Sequence, residues 1–484
     1  MLERGLPPEP GRADTSEAVL CVDLDGTLVK SDTLAELILQ LLRRSPLYIL
    51  LLPWWLMSGR VRFKAELMRR VGLRVDLLPY RAELLEFIRR ERQRGRRVVL
   101  VTAAPLELAR QVAEYLGGFD EVIATSSTLN VAGANKRDLM VTTFGAGQFD
   151  YIGNAKADVV CFQAARRALV AAPQWRLRRC LHDGRLQVAR YFDPHPATLR
   201  AVVGELRISQ WGKNLLVFLP LLLAHKFHDG PRLLNTALFF GTLSLTASAG
   251  YLINDLLDLE ADRLHARKRF RPLAAGTISG WVGMAALPLL LVPALGLSLA
   301  VGWPLTLCLL GYLAGTLIYS FYAKRIAVLD ALALAGLYTF RILAGGIAAR
   351  VPISPWMMAF SMFFFLSLAF LKRYSEMRAS TTVADNRRGY GPADLEQIRL
   401  FGTVAAYVST LVLALYVSGN DVALLYSKPQ WLWLLCVVVI YWLSRAWLLA
   451  SRGELEDDPF LFAMTDPQTY GLGLAIIGIM LLAL

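Results

Sequence analysis

Apolar runs of membrane-spanning length recur from Trp211 to Leu484, and they constrain the fold of this 484-residue chain more than any other feature. A helix needs about 20 apolar residues to cross the hydrocarbon of a bilayer. Nine runs meet this criterion, covering residues 211–229, 233–253, 279–299, 303–322, 328–349, 354–371, 400–418, 430–450 and 468–484. Because unpaired backbone polar groups are excluded from lipid, the second half is predicted to be an all-α transmembrane bundle.

The distribution of basic residues predicts which side of the membrane each loop faces. The loops after the second, fourth and sixth spans are rich in arginine and lysine, whereas the opposite loops carry few. The basic loops and everything before the first span are therefore predicted to be cytoplasmic. The chain is expected to be a multi-pass protein of the cytoplasmic (inner) membrane.

Charge and cysteine content narrow the class of partner. The formal net charge is +13, but the basic residues are scattered rather than gathered in one patch. This favours membrane lipids and phosphorylated substrates over nucleic acid. The five cysteines lack paired metal-ligand spacing and are expected to be reduced thiols. Residues 1–17 form a polar tail without the apolar core of a signal peptide.

Four oxygen-bearing side chains stand at the end of the second span: Asn254, Asp255, Asp258 and Asp262. In a helix, steps of three and four residues place them on one side. Carboxylates at such short distances repel one another unless a cation lies between them. Mg²⁺ prefers hard oxygen ligands of this kind. The spacing predicts a Mg²⁺ site formed by these four residues. The alternative, a loop whose acids only balance its arginines, does not explain the helical spacing.

A basic cluster follows these acids directly. Its members are Arg263, Arg267, Lys268, Arg269 and Arg271. Guanidinium and ammonium groups are the usual partners of phosphate oxygens. Acids next to bases at a membrane edge therefore predict a site for a magnesium-chelated diphosphate.

Further charged and polar residues occur near the ends of other spans. Asp330 and Arg341 are three helical turns apart and share one face of the fifth span. An arginine inside a membrane helix is costly unless it faces a polar interior, which marks Arg341 as a site candidate. For one of Lys324 and Arg325, snorkelling to lipid headgroups is the simpler explanation. The remaining candidates are Lys213, Asn214, Tyr319, Lys372 and Arg373.

These motifs resemble those of a known family. Asn254-Asp-x-x-Asp-x-x-x-Asp262, then Tyr319-Ser-x-x-x-Lys324 and Asp330, are similar to the UbiA superfamily of intramembrane prenyltransferases. Residues 205–484 resemble its decaprenyl-phosphate phosphoribosyltransferase branch, through the motifs 210–214, 254–263, 268–276 and 372–376. The resemblance implies that a polyprenyl phosphate attacks C1 of 5-phosphoribosyl diphosphate and releases diphosphate.

The resemblance also implies roles for the charged residues. Mg²⁺ on Asp255, Asp258 and Asp262 neutralises the leaving diphosphate, and Lys268, Arg269 and Arg271 hold the 5-phosphate of the donor. Lys213, Lys324, Arg341 and Lys372 are candidates for the lipid phosphate. Two rival functions stay open. One is prenyl transfer from a prenyl diphosphate to an aromatic acceptor; the other is a transporter or lipid-binding scaffold, whose ionisable residues are expected near the middle of the bilayer.

The first half of the chain carries a second set of acids. The apolar strand 19–22 is followed at once by Asp23-Leu-Asp25-Gly-Thr. Similar strands end at Thr102 and at Gly153-Asn154, the latter followed by Asp158, and Lys136 lies between them in the sequence Gly133-Ala-Asn-Lys136-Arg. Helical patterns alternate with these strands, which predicts an α/β fold with a doubly wound parallel sheet.

The Asp23-x-Asp25 motif resembles the first signature of the haloacid-dehalogenase superfamily of phosphotransferases. The resemblance covers residues 18–175, with a small helical cap at 32–77 whose apolar part, 48–57, is expected to reach the membrane interface. It implies that Asp23 is the nucleophile, that Asp25 is the acid/base, and that Thr102 and Lys136 bind phosphate. Mg²⁺ is expected on Asp23, Asn154 and Asp158.

One position departs from that family's pattern, because its acidic loop usually begins Gly-Asp and Asn154 stands here instead. The change removes one negative charge and should weaken Mg²⁺ binding. An active phosphatase and a degenerate structural domain both remain open. If active, this domain is expected to remove the 5-phosphate of the membrane product, which gives a precursor for a cell-envelope glycan. Residues 176–207 are expected to be a linker, and a homo-oligomer is compatible with the sequence.

Overall fold

A computed structural model describes residues 18–126, 129–182, 186–193, 199–379, 389–419, 422, 425–455 and 459–484. The predicted polar tail, 1–17, and parts of the predicted linker, 183–185 and 194–198, lie outside these residues. The chain divides into two compact units: unit 1 is Met1–Leu206 with Leu252–Ala286, and unit 2 is Arg207–Tyr251 with Leu287–Leu484.

Unit 1 is built on a six-stranded sheet whose neighbouring strands are all parallel. The strands are β1 (Val19–Val22), β2 (Val98–Pro105), β3 (Glu121–Thr125), β4 (Phe149–Gly153), β5 (Arg167–Ala171) and β6 (Val188–Phe192). Their order in the sheet is β3-β2-β1-β4-β5-β6. The chain winds outward in both directions from β1 and β4, so the predicted doubly wound parallel sheet is confirmed. Ligands of such sheets bind where the carboxyl ends of these two central strands diverge.

The helices of unit 1 cover both faces of this sheet. Those before the membrane segment are α1 (Thr33–Arg44), α2 (Leu52–Met57), α3 (Arg60–Met68), α4 (Ala82–Gln93), α5 (Leu106–Leu116), α6 (Ala134–Phe144), α7 (Val159–Ala164), α8 (Trp175–His182) and α9 (Leu199–Glu205). One apolar cluster joins α1, α4 and α5 to β1 and β2, while a second joins α6 and α7 to the opposite face. Between β1 and α4 lies the predicted helical cap.

The predicted linker differs from the structure. Val188–Phe192 pairs in parallel with β5 and forms an edge strand of the sheet, with Phe192 fully buried. The strand escaped detection because its sequence has no regular apolar alternation: Ala189, Arg190 and Tyr191 are exposed, and only Phe192 is buried. The sheet therefore extends beyond residue 175.

The remaining helices belong to the apolar half. They are α10 (Leu219–Leu223), α11 (Gly230–Leu257), α12 (Leu259–Leu264), α13 (Gly280–Val301), α14 (Trp303–Phe321), α15 (Leu329–Ala349), α16 (Pro355–Ala379), α17 (Leu395–Val417), α18 (Trp433–Arg452), α19 (Pro459–Thr465) and α20 (Pro467–Ala483). Small residues bring some of them close: a Cβ on Gly402 would lie 2.1 Å from the Trp447 ring. Such contacts build a helical bundle in unit 2.

The number of spans is close to the nine expected. Among the described residues, seven helices are long and apolar enough to cross a membrane, and α19 with α20 forms an eighth candidate bent by 80°. The first expected span is instead a shorter apolar segment, Ile208–Leu223, whose first part is a 3₁₀ helix. Pro220 starts α10, and Lys213 and Asn214 interrupt the apolar run. The all-α bundle is confirmed, and the count of nine is approximate.

Candidate active sites

In the first site, Asp23 and Lys136 form a buried ion pair at the carboxyl end of β1. Lys136 Nζ, from the first turn of α6, donates to Asp23 Oδ1 at 2.7 Å. Thr27 Oγ1 lies 3.4 Å from Asp23 Oδ2. Burial alone would lower the pKa of Lys136, but the carboxylates of Asp23 and Asp158 outweigh it and shift that pKa upward. Lys136 is therefore a fixed positive charge beside the predicted nucleophile.

Asp25 stands on the opposite side of the same turn, where its Oδ1 accepts the backbone N–H of Thr33 at 2.7 Å. Thr33 is the first residue of α1. Burial raises the pKa of Asp25 to about 7, with a further contribution from Asp32. Burial likewise raises the pKa of Asp23 to about 6, because it outweighs the attraction of Lys136. Both carboxyl groups therefore hold a proton more readily than an exposed aspartate does.

Asp158 is held by the loop that it closes. Its Oδ2 accepts the backbone N–H groups of Asn154 at 3.1 Å and Ala155 at 2.9 Å, and its Oδ1 accepts the Tyr151 hydroxyl at 2.8 Å. Lys136 Nζ lies 3.8 Å from the same Oδ1. These contacts use both oxygens, so Asp158 orients the loop and Lys136.

Asn154 lies against the turn that carries the two aspartates. A Cβ on Gly26 would come within 2.1 Å of Asn154 Nδ2, and Gly26 has a positive φ of +72°. Only glycine fits this turn, for both reasons. The amide of Asn154 is consequently next to the Asp23–Asp25 turn, at the position that the sequence predicts for a metal ligand.

Thr102 is also buried at this edge of the sheet. Its hydroxyl accepts the backbone N–H of Ala104 at 3.0 Å, where the register of β2 against β3 shifts. The carboxyl ends of β1, β2 and β4 therefore carry Asp23, Thr102 and Asn154 at one edge of the sheet. This is the arrangement that the strand pattern predicts.

A buried arginine supports the turn and was not predicted. Arg81 Nε donates to the carbonyl of Thr27 at 3.0 Å, and Nη2 donates to that of Gly26 at 3.1 Å. Its third nitrogen pairs with Asp193. Arg81 is one of many arginines in this half of the chain and lies 54 residues from Thr27, so no sequence signal distinguished it.

The second site begins where α11 ends. Asp258 caps the next helix, α12, and the predicted continuous helix is broken at this residue. The backbone bonds from Asp258 N to Asn254 O, 3.0 Å, and from Asp262 N to Asp258 O, 2.8 Å, nevertheless keep the expected four-residue steps. Asn254 and Asp258 are half-buried, whereas Asp255 and Asp262 are buried.

Arg271 joins two of these acids. Its Nη1 donates to Asp255 Oδ1 at 2.9 Å and to Asp262 Oδ2 at 2.6 Å. The side chain of Arg271 is 29% exposed, while those of Asp255 and Asp262 are 2% and 7% exposed. Burial raises the pKa of Asp262. Two carboxylates from separate helices thus converge on one cationic nitrogen.

The same segment is tied to α1 by a second arginine. Arg263 Nη1 and Nη2 donate to the two carboxylate oxygens of Glu36 at 2.8 and 2.6 Å, and Arg263 Nε donates to the carbonyl of Ala274 at 3.0 Å. Both side chains are less than a tenth exposed. Glu36 was not predicted, because nothing local in the sequence links it to a residue 227 positions away.

The other basic residues of this segment have different surroundings. Lys268 is half-buried, and both Arg267 and Arg269 are exposed. The Arg269 guanidinium lies 4.8 Å from the ring centroid of Phe270. Arg271, one of the three residues predicted to hold the 5-phosphate, is bonded to two of the acids.

The two sites differ in how well their side chains fit a metal ion. Among the described residues, no group of three or more histidine, cysteine, aspartate or glutamate side chains is arranged to hold a metal. Asp255 and Asp262 fit a divalent cation, since their oxygens already converge on a positive atom. The first site fits a divalent cation less well. Both oxygens of Asp158 already accept hydrogen bonds, so only Asp23 and Asn154 are left of the three predicted ligands. The metal assignments stay predictions.

In unit 2, Arg341 is buried within α15 and pairs with Asn214. Its Nε donates to Asn214 Oδ1 at 2.8 Å, and Nη2 donates to the Tyr312 hydroxyl at 2.8 Å. Asn214 Nδ2 in turn donates to Ser244 Oγ at 3.0 Å. The guanidinium also faces the rings of Tyr312 and Tyr338. Because these partners are uncharged, they position the guanidinium of Arg341 without neutralising it, and it can still attract an anion.

Asp330 and Arg341 share α15 as predicted, yet they belong to separate networks. Arg373 Nε pairs with Asp330 Oδ2, and Arg373 Nη2 donates to the Tyr319 hydroxyl at 3.2 Å. Tyr390 donates to Asp330 Oδ1 at 2.5 Å. The structure therefore brings Tyr319, Asp330 and Arg373 together.

The predicted lysines of unit 2 differ in burial. Lys213 is buried with its Nζ 5.1 Å from the ring centroid of Phe460. Lys324, after α14, and Lys372, near the end of α16, are half-buried. These placements leave Lys213 as the most enclosed of the three.

Comparison with known proteins identifies both parts of the chain. Residues 215–466 match the UbiA prenyltransferase family, and residues 20–160 match haloacid dehalogenase-like hydrolases. An uncharacterized protein of Sinorhizobium fredii is 37% identical over 96% of this chain and 91% of its own length.

Two further relatives match the apolar half. Nodulation protein NoeC of Azorhizobium caulinodans is 34% identical over 57% of this chain and 91% of its own length. The decaprenyl-phosphate phosphoribosyltransferase of Mycobacterium tuberculosis is 36% identical over 47% of this chain and 77% of its own length. The chain belongs to the UbiA prenyltransferase family, as an integral membrane protein that carries an N-terminal haloacid dehalogenase-like domain.

Proposed function

We propose that this protein transfers 5-phosphoribose from phosphoribosyl diphosphate to a polyprenyl phosphate such as decaprenyl phosphate. The observation that carries the proposal is the shared contact of Arg271 with Asp255 and Asp262. It is supported by the similarity to a decaprenyl-phosphate phosphoribosyltransferase, which is 36% identical over 47% of this chain. Two buried acids and an accessible guanidinium suit a donor that brings both a cation and phosphate groups.

Each charged residue of that segment has a role in the proposal. Asn254, Asp255, Asp258 and Asp262 would hold Mg²⁺, which when bound neutralises the leaving diphosphate. Arg271, with Lys268 and Arg269 in the same basic segment, binds phosphate oxygens of the donor. Phosphate oxygens of the donor would replace the two carboxylates as partners of Arg271, and those carboxylates would then be available to hold the cation.

The transfer step needs alignment rather than proton removal. An oxygen of the lipid phosphate attacks C1 of the ribose, the C1–O bond to the diphosphate breaks, and the diphosphate leaves with the bonding electrons. The attacking oxygen is already anionic, so no general base is required. The buried positive charges of Arg341 and Lys213 suit the phosphate of the lipid acceptor, and the Asp330–Arg373 pair braces α15 against α16.

The haloacid dehalogenase-like domain is proposed to remove the 5-phosphate of the product on the cytoplasmic side. Asp23 attacks the phosphorus, and Asp25 gives its proton to the departing ribose oxygen; water then cleaves the aspartyl phosphate. A pKa of about 6 for Asp23 and about 7 for Asp25 suits these roles near neutral pH. The resulting polyprenyl-phosphoryl ribose would serve cell-envelope glycan synthesis.

A diphosphate-release assay tests the transferase. Purified protein in lipid vesicles should release diphosphate from phosphoribosyl diphosphate only when both Mg²⁺ and decaprenyl phosphate are present. The Asp258→Ala protein should release none, whereas Glu260→Gln, a carboxylate of the same segment that pairs with Arg43 instead, should behave like the wild type. Release that persists in Asp258→Ala contradicts the proposal. Activity with prenyl diphosphate and an aromatic acceptor would favour prenyl transfer.

A further inference from the structure

The cap of the haloacid dehalogenase-like domain carries an exposed apolar surface. Residues Pro46–Met57, called the cap tip here, form a 3₁₀ turn followed by α2 and contain no charged side chain. Six of its large side chains are more than half exposed, namely Leu47 (72%), Ile49 (58%), Leu50 (74%), Trp54 (69%), Leu56 (54%) and Met57 (85%). Contiguous apolar surface of this kind usually marks a binding site.

The cap tip is anchored from beneath, so its outward face is a fixed feature. Trp55 is 9% exposed and belongs to the apolar core of the domain with Phe63 and Leu67. The ring of Tyr48 lies 6.1 Å from that of Trp55, and the Arg70 guanidinium lies 4.5 Å from the Trp55 ring centroid. One face of the segment is therefore buried in the cap, and the opposite apolar face is held outward.

The residues that flank the cap tip favour a lipid surface as its occupant. Arg44, Arg60 and Arg62 are exposed, and no acidic residue occurs between positions 43 and 64. Arginines beside an apolar face suit anionic headgroups, while Trp54 has the amphipathic ring that favours the headgroup level. The segment is too short to cross a bilayer, and the protein is already a membrane protein.

The cap tip is also one short helix away from the phosphatase site. It leads directly into α3, where Lys64 Nζ donates to the carbonyl of Ala103 at 2.5 Å. Ala103 follows Thr102, which lies at the carboxyl edge of the sheet with Asp23. The cap tip is thus connected through α3 to the edge of the sheet that carries Asp23.

We propose that the cap tip inserts into the headgroup layer of the membrane and that the adjoining site takes phosphate monoesters carried by membrane lipids. The first half of this inference rests on the exposed surface and its charges. The second half rests on the proposed phosphatase function and specifies the chemical class of its substrate.

Fluorescent labels on the full-length protein test the insertion. An environment-sensitive dye is attached to Met57→Cys, or to Leu50→Cys, in vesicles of phosphatidylethanolamine and phosphatidylglycerol. Arg89→Cys, an exposed position on α4, is the matched control, and labelled wild type gives the background of the native cysteines. Quenching by nitroxide-bearing lipids should be at least about twofold stronger at the cap tip than at Arg89→Cys.

Each outcome of the labelling experiment decides the question. A cap-tip label that is quenched no more than the control overturns insertion. Cross-linking between cap-tip cysteines of two copies, without lipid quenching, shows that a second copy covers the surface and also overturns it.

A hydrolysis experiment tests the substrate class. In the double variant Leu50→Glu/Met57→Glu, hydrolysis of soluble p-nitrophenyl phosphate should be unchanged, while hydrolysis of a lipid-linked phosphate monoester in vesicles falls by about tenfold. Equal effects on both substrates overturn the inference about substrate class. If the wild type hydrolyses neither compound, the phosphatase function and this substrate class fail together. The label experiment then still decides insertion.

Discussion

Two clusters in unit 1 each set a pair of carboxylates around one cationic side chain, and they differ in access. Lys136 lies between Asp23 and Asp158 and is buried, with Asp158 fully engaged by its own loop. Arg271 lies between Asp255 and Asp262 and is 29% exposed. The first cation is built into the domain permanently. The second is accessible, and we propose that it exchanges its partners for a substrate, which would make one site rigid and the other adaptable.

The largest expected effect is on the rigid cluster. Asp23→Asn should lower removal of the 5-phosphate by at least about 1000-fold, because the nucleophile is lost. Transfer of phosphoribose should stay within about twofold of wild type, since Asp23 has no contact with Arg271 in this account. Quantifying phosphorylated and dephosphorylated lipid by mass spectrometry separates the two steps. Normal dephosphorylation in this variant would exclude the proposed role of the domain.

The adaptable cluster should respond to removal of one charge. Asp255→Asn keeps the shape of the side chain but weakens both cation binding and the hold on Arg271, so transfer should fall by about 100-fold. Titration with Mg²⁺ should show a higher half-saturating concentration, whereas Glu260→Gln should not change it. Unaltered Mg²⁺ dependence in Asp255→Asn would mean that this acid does not bind the metal.

A gain of charge sharpens the comparison in the opposite direction. Asn154→Asp restores an acid next to Gly26 without a change in size, and the Mg²⁺ affinity of the phosphatase site should rise by about tenfold. The metal dependence of p-nitrophenyl phosphate hydrolysis measures this affinity. The same substitution should not alter the Mg²⁺ dependence of transfer. A loss of Mg²⁺ affinity would show that the amide itself is required.

The smallest effect is expected where the two clusters share a support. Glu36 belongs to α1, and the backbone N–H of the first residue of this helix donates to Asp25. The carboxylate of Glu36 accepts two hydrogen bonds from Arg263, the residue after Asp262. Glu36→Gln weakens these bonds and should lower transfer by about threefold through a looser Asp262, with little change in Mg²⁺ affinity. Glu83→Gln, an exposed acid on α4, is the control. Equal rates of transfer in the two variants would show that Glu36 does not support the site around Asp262.

The sequence predicted those parts of the sites that depend on local pattern. Asp23 and Asn154 could be assigned to one edge of the sheet, because each follows the carboxyl end of a parallel strand. The Asp23-Leu-Asp25 and Gly153-Asn154 motifs mark those strand ends. The acidic residues at the end of α11 and in α12 were found from their spacing, although the helix breaks at Asp258. Local rules therefore identified the carboxylates of both clusters.

Long-range partners could not be obtained in this way. Arg81 and Glu36 were among many charged residues, and their bonds depend on how distant segments pack. Arg271 was predicted to bind phosphate, but its bonds to Asp255 and Asp262 were not predicted. The edge strand β6 was taken for linker because edge strands need only one apolar face. A full span was expected at 211–229, yet polar residues and Pro220 limit the observed segment to Ile208–Leu223.

The proposal that this membrane protein joins phosphoribose to a lipid phosphate depends on which lipid the protein forms. Its most direct test is mass spectrometry of the lipids formed when the purified protein is incubated with phosphoribosyl diphosphate, decaprenyl phosphate and Mg²⁺. The account predicts decaprenyl-phosphoryl ribose 5-phosphate in the Asp23→Asn protein and its dephosphorylated form in the wild type. Unmodified decaprenyl phosphate in both samples, with a well-folded protein, would contradict it.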